Sequence, residues 1–276
     1  MLITLIFIPT DNQASPGSKQ LYLRSGWGIG YAQMRDMGVS PLSYRGPALS
    51  PTLGFQSEGK PWQWGVDIQL VGSYIEDPVY PKYNFSTMEG IAILSLHVQR
   101  MVYNGSFGKQ TLRLYAGASA DEWFEIHYDP QFRNSSTGMG NFVMPSLTFR
   151  ADMVFGPAAY RPDGRLMLQG DIAIAPVAFV MRPGYAYIDN FSSTHSPNDA
   201  TFDNYIWHFT GIPQMQTSAG VILPLANGNR IGLAYQWTLT TTHNKGHHRF
   251  DSAYHLLTLT FDFLLSKRTP SISVPF

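Results

Sequence analysis

The stretch WQWGVDIQLVGSY, residues 62–74, alternates with period two: Trp62, Trp64, Val66, Ile68, Leu70 and Tyr74 fall on one side, Gln63, Gly65, Asp67, Gln69, Val71 and Ser73 on the other. Successive side chains of a β-strand point to opposite faces of the sheet, so this pattern predicts a strand with an uncharged apolar face and a polar one. The same split recurs at 230–242, where Ile231, Leu233, Tyr235, Trp237 and Leu239 oppose Arg230, Gln236 and a run of threonines. At 142–155, Val143, Leu147, Phe149, Ala151 and Met153 oppose Ser146, Thr148, Arg150 and Asp152.

Further segments at 20–34, 44–56, 90–102, 109–120, 165–181, 205–223 and 253–265 read the same way, which makes about ten strands. The links between them alternate in length. Short ones fall at 57–60, 104–108, 156–164 and 224–229, longer ones at 35–43, 76–87, 121–141, 182–204 and 243–250. An even strand number with short turns at one end and long loops at the other is the pattern of a closed antiparallel transmembrane barrel, all-β in class. Pro51, Pro145, Pro176 and Pro213 fall inside proposed strands, where each removes a ladder donor, so bulges or shifted boundaries are expected there.

The polar face decides between a membrane barrel and a soluble one. A solvent-facing sheet surface carries many Lys and Glu residues, whereas this one carries Gly, Ser, Thr, Gln and sparse charges of both signs, as suits a crowded interior. Only 14% of the 276 residues are charged and 14% are aromatic. Lys plus Arg balances Asp plus Glu at 19 each, so no net field draws nucleic acid. There is no cysteine, which excludes disulfides and thiolate metal sites. No apolar run reaches the roughly 20 residues of a membrane helix. Residues 1–14, beginning MLITLIFI, read as the remnant of a secretion signal, 15–265 as the barrel and 266–276 as a C-terminal tail.

The last strand, HLLTLTFDF from His255 to Phe263, is similar to the terminal strand by which Gram-negative barrels are recognised by their assembly machinery, and the chain finishes in Phe276. SPLSYRGPALSPTLGFQ resembles a loop-and-strand signature of small Bacteroidota outer-membrane barrels of unassigned function. The resemblance implies insertion in the bacterial outer membrane. Lipid and lipopolysaccharide are then the expected surroundings, with further outer-membrane proteins as possible partners and no cofactor or metal.

On this reading Trp62, Trp64, Ile68, Leu70, Leu233, Trp237, Phe261 and Phe263 face lipid, although Trp237 lies nearer mid-strand than an interfacial girdle requires. Arg24, Asp67, His97, Arg113, Arg150, Asp152, Asp171, His208, Arg230 and Asp262 face the lumen. Charges in so narrow a lumen need opposite partners, so a ladder of ion pairs filling the barrel is expected, since about ten strands enclose little more than side chains fill.

The expected function is therefore that of a non-enzymatic scaffold or accessory subunit of an envelope complex. One alternative is a narrow channel or transporter for a small or amphipathic solute. Another is a lipid hydrolase or protease using Ser95 and His97 with Asp67 as third group. His243, His247, His248 and Asp251 read as a solvated loop, and Asp121, Glu122, Trp123, Phe124, Glu125, His127, Tyr128 and Asp129 as an external loop that contacts a partner.

Overall fold

The computed structural model describes residues 19–36, 42–79, 86–107, 110–129, 134–154, 165–181, 206–208, 213–242 and 249–268. Its twelve β segments are β1 (Lys19–Asp36), β2 (Ser43–Glu58), β3 (Trp62–Glu76), β4 (Ser86–Phe107), β5 (Gln110–Asp129), β6 (Asn134–Val154), β7 (Arg165–Ala175), β8 (Val177–Met181), β9 (Ile206–His208), β10 (Gln214–Pro224), β11 (Arg230–Thr242) and β12 (Phe250–Arg268). All pairings are antiparallel. β1 pairs with both β2 and β12, and β5 with β6, so the sheet closes on itself. β7 and β8 lie end to end along β6, and β9 continues β10 past Pro213, so the twelve segments form ten staves.

Prolines shape this wall in two ways. Pro176 stands between β7 and β8 beside exposed Val177, and pairing with β6 slips there, from Ser146↔Ala173 to Val143↔Val177. Pro145 lies within the same gap of the ladder, so both missing donors fall in one irregularity. Pro51 makes no bulge. The β2–β3 ladder is interrupted at Ser50 and Pro51, and again at Gly46 and Pro47, while the register continues from Leu49↔Gly72 to Thr52↔Gln69.

The connections 59–61, 108–109, 155–164 and 225–229 leave one end of the barrel; 37–42, 77–85, 130–133, 182–205 and 243–249 leave the other. The short-turn end is the periplasmic one. Residues 121–141 are not the external loop that their mixed composition suggests. β5 runs on to Asp129 and β6 begins at Asn134, paired without a break from Glu122↔Asn141 to Asp129↔Asn134. Asp121, Trp123, Glu125 and His127 are buried inside the barrel, while Glu122, Phe124, Ile126 and Tyr128 face outward.

Candidate functional site

Among the described residues the polar and ionisable side chains gather in the interior, which has three tiers. The periplasmic tier is ionic. Arg24 on β1 donates from Nε to Asp262 Oδ1 on β12 at 2.9 Å and from Nη2 to Gln56. Glu58, the last residue of β2, accepts from Arg150 Nη1 at 3.0 Å and from Arg230 Nη2 at 2.8 Å, so it joins β2 to β6 and β11 across the lumen. Arg113 is paired with Asp152 on the neighbouring strand. The guanidinium of Arg230 also stacks over Tyr22 at 4.1 Å, and that of Arg150 lies 5.6 Å from the Tyr115 ring. Each cation thus has a carboxylate, as a poorly hydrated interior demands. Glu58 is not among the residues that the sequence singles out. It sits next to a turn, and its only signal is parity, since the even positions of β2 face inward.

Above this tier lies a cavity of about 220 Å³ lined mainly by amides and hydroxyls, among them Gln69, Ser95, Gln99, Thr148, Gln216 and Gln236. Asp171 accepts from Thr148, Ser218 and Gln169. Asp67 and His97 face each other with Oδ2 and Nδ1 3.7 Å apart. The room for both comes from glycines on adjacent strands. A Cβ at Gly54 would collide with Asp67 Oδ1, and one at Gly65 would collide with His97 Cε1. The Ser95 hydroxyl does not serve His97: it donates to Asp121 Oδ1 at 2.6 Å, while Gln216 holds the other oxygen of that carboxylate. Serine and histidine therefore have different acids, and no relay runs from Asp67 through His97 to Ser95.

The outer tier is apolar. Trp123, Phe142, Phe250, Met34, Ile75 and Met144 are buried inside the barrel, with the Trp123 ring edge-on to Phe142 at 6.5 Å and tilted against Phe250 at 5.9 Å. Carboxylates are set into this packing. Glu89 accepts from Ser73 and Ser252, each at 3.2 Å, and His127 lies 3.7 Å from Asp36. Alternation hides this tier: Val71 and Met144 fall on faces that are otherwise polar, and Ile91 and Ile93 alternate with an outward set that is apolar as well.

The outer surface carries the apolar set. Trp62, Trp64, Ile68, Leu70, Leu233, Phe261 and Phe263 are exposed on the barrel wall. Arg100 stacks on Trp62 at 5.8 Å at the periplasmic rim. Trp237 pairs in register with His255, where the apolar run of β12 ends, and packs beside its ring at 6.4 Å, with Tyr235 hydrogen-bonded to the same imidazole. The side chain of His208 and residues His243, His247 and His248 lie outside the described residues; Asp251 accepts from Thr241 and pairs with Arg249.

No protein-family model matches the chain, and no curated protein matches its sequence. Solved structures that resemble it include the monoaromatic hydrocarbon channel TodX as a deltaS2 mutant, 10% identical, with 91% of each chain covered and a TM-score of 0.35. The transport unit of the autotransporter AIDA-I from Escherichia coli is 9% identical, with 94% of each chain covered and a TM-score of 0.39. A major outer membrane protein from Thermus thermophilus is 14% identical, covering 88% of this chain and 99% of its own, with a TM-score of 0.33. From its own geometry, a closed ten-stave wall, an apolar belt toward lipid and a filled interior, the chain is an integral β-barrel of the bacterial outer membrane.

Proposed function

We propose that this barrel is a non-enzymatic scaffold of the outer membrane, an accessory subunit that holds other envelope components rather than passing solutes. The observation that supports this reading is that the interior is filled at two levels by unrelated means, ion pairs around Glu58 below and the Trp123, Phe142 and Phe250 cluster above. A conduit needs one continuous polar path, and a buried aromatic layer denies it. Purified protein in planar lipid bilayers is expected to give no discrete conductance steps. Regular steps that vanish on heat denaturation sink the reading.

The polar cavity favours a second reading, a narrow passage for a small uncharged solute whose hydroxyls would match the glutamine and serine lining. Proteoliposome swelling in neutral sugars separates the two: faster swelling than in protein-free vesicles supports passage, equal swelling supports the scaffold. The hydrolase reading is weakened by the engagement of Ser95 with Asp121.

A further inference from the structure

The outer wall differs from one side to the other. On β1 the outward side chains run Leu21, Leu23, Ser25, Trp27, Ile29 and Tyr31 before Gln33 and Arg35 begin. A strand tilted about 40° gains roughly 2.5 Å of membrane depth per residue, so this run covers about 25 Å, the height of the apolar band. On β5 the outward series is Leu112, Leu114, Ala116, Ala118, Ala120, Glu122, Phe124, Ile126 and Tyr128, which by the same measure covers about 40 Å and has a carboxylate inside it.

Arg100 and Trp62 mark the periplasmic boundary, and Arg100 pairs with Ala116. Glu122, six residues further on, then stands about 15 Å into the band. Raising the boundary would not help, because a band that ended at Glu122 would leave Phe124, Ile126, Tyr128 and the exposed Met88 beyond it. The cross-strand neighbours of Glu122 are Leu94 and Asn141, and no described Lys or Arg pairs with it. A lone carboxylate at that depth costs several kcal/mol if hydrocarbon covers it, as intramembrane charges generally do.

Four residues further toward the outer rim, on the neighbouring strands, lies a depression. Gly72 and Gly90 are opposite each other on β3 and β4, both outward, and a Cβ on either would meet nothing within 4 Å. Leu70, Tyr74 and Met88 rise around them.

We propose that the outward face of β3 to β6 docks a second membrane protein of a different kind, one that presents a Lys or Arg to Glu122 and a bulky apolar side chain to the Gly72–Gly90 depression. This rests on the accessory-subunit reading and gives it a surface. Charge complementarity selects the occupant. A two-fold pairing of this chain with itself through the same face would set Glu122 against the carboxylate of the other copy at equal depth, and the exposed described arginines Arg35, Arg45, Arg100 and Arg249 lie toward the rims.

The absence of cysteine makes every introduced thiol unique. Nitroxide labels at Gly90→Cys, Ala118→Cys and Ile126→Cys are compared with labels at Ile29→Cys and Leu257→Cys, and relaxation by oxygen reports contact with lipid. In native outer membranes the first three are expected to be shielded, with severalfold lower oxygen accessibility than the β1 and β12 controls. In vesicles of purified protein in phosphatidylethanolamine and phosphatidylglycerol all five are expected to become equal. Glu122→Lys, introduced beside the Ala118→Cys label, is expected to abolish the shielding in native membranes while the barrel keeps its heat-dependent gel mobility. Equal accessibility in native membranes overturns the proposal, and so does dipolar coupling between labels of two copies. Neither result touches the bilayer measurement of closure, so the docking surface and the scaffold reading fail separately.

Discussion

The periplasmic and outer halves of the lumen are filled by opposite chemistry. Below, Arg24, Arg113, Arg150 and Arg230 and their carboxylates cross-link β1, β2, β5, β6, β11 and β12 through side chains, with Glu58 as the shared acceptor. Above, Trp123, Phe142 and Phe250 pack as in a soluble core. The lower half gains specificity of register from paired charges, since a one-residue slip would turn each arginine toward lipid. The upper half gains stability from excluded water. On the scaffold reading proposed above, two fillings of different chemistry resist opening by any single change of conditions, because salt weakens the ionic one and leaves the apolar one.

Removing the largest apolar piece tests the upper half most severely. Trp123→Ala is expected to cost about 3–5 kcal/mol, through lost transfer energy and the cavity left behind. Chemical unfolding of the detergent-solubilised barrel measures it; a loss below about 1 kcal/mol would mean that the outer tier is hydrated and not a core. Glu58→Gln in the lower half comes next. It leaves Arg150 and Arg230 facing each other without a carboxylate, which is expected to cost about 3 kcal/mol, near the low end for a broken buried pair because water reaches part of this tier. A double-mutant cycle with Arg230→Met should recover part of that loss, and strict additivity would show that the Glu58–Arg230 contact carries no coupling.

Between the two halves, Gly65→Ala sharpens the boundary. Its methyl would take the place of the His97 ring, and the backbone carbonyl of Phe55 at 3.0 Å blocks retreat toward the wall. The expected cost is about 1–3 kcal/mol, the usual range for overpacking. The chemical shifts of the His97 ring should move with it, and an unchanged ring environment would contradict the geometry.

How far all this is readable in the sequence depends on whether period two is enough. It is for the staves, because backbone geometry alone assigns alternate residues to opposite faces. It fails at 121–129. There Asp121, Glu125 and His127 alternate with Glu122, Phe124 and Tyr128, so polar and aromatic residues occur on both faces and hydropathy resembles that of a loop. Only the odd and even sets taken separately show a strand whose inward side is buried and whose outward side is mostly apolar. Partners are beyond reach for a different reason. Arg150 and Glu58 are 92 residues apart, and which staves face each other across a closed barrel is set by its shear and not by any local pattern.

The smallest expected effect falls on the cavity. Ser95→Ala removes a hydroxyl that donates to Asp121, whose other oxygen keeps Gln216 as donor, so the carboxylate stays partly satisfied. The loss should be about 1 kcal/mol, the ordinary net worth of one hydrogen bond. It separates two accounts of the same residue. If Ser95 only anchors Asp121, Ala costs that much stability and changes no chemistry, and a fluorophosphonate probe fails to label the wild-type barrel. If Ser95 is instead an activated nucleophile, the probe labels the wild type and not the variant, and His97→Ala abolishes labelling too. Labelling with that dependence would require Ser95 to leave Asp121 and turn toward His97, which in turn would make the lumen of this barrel a rearranging site and not a fixed stopper.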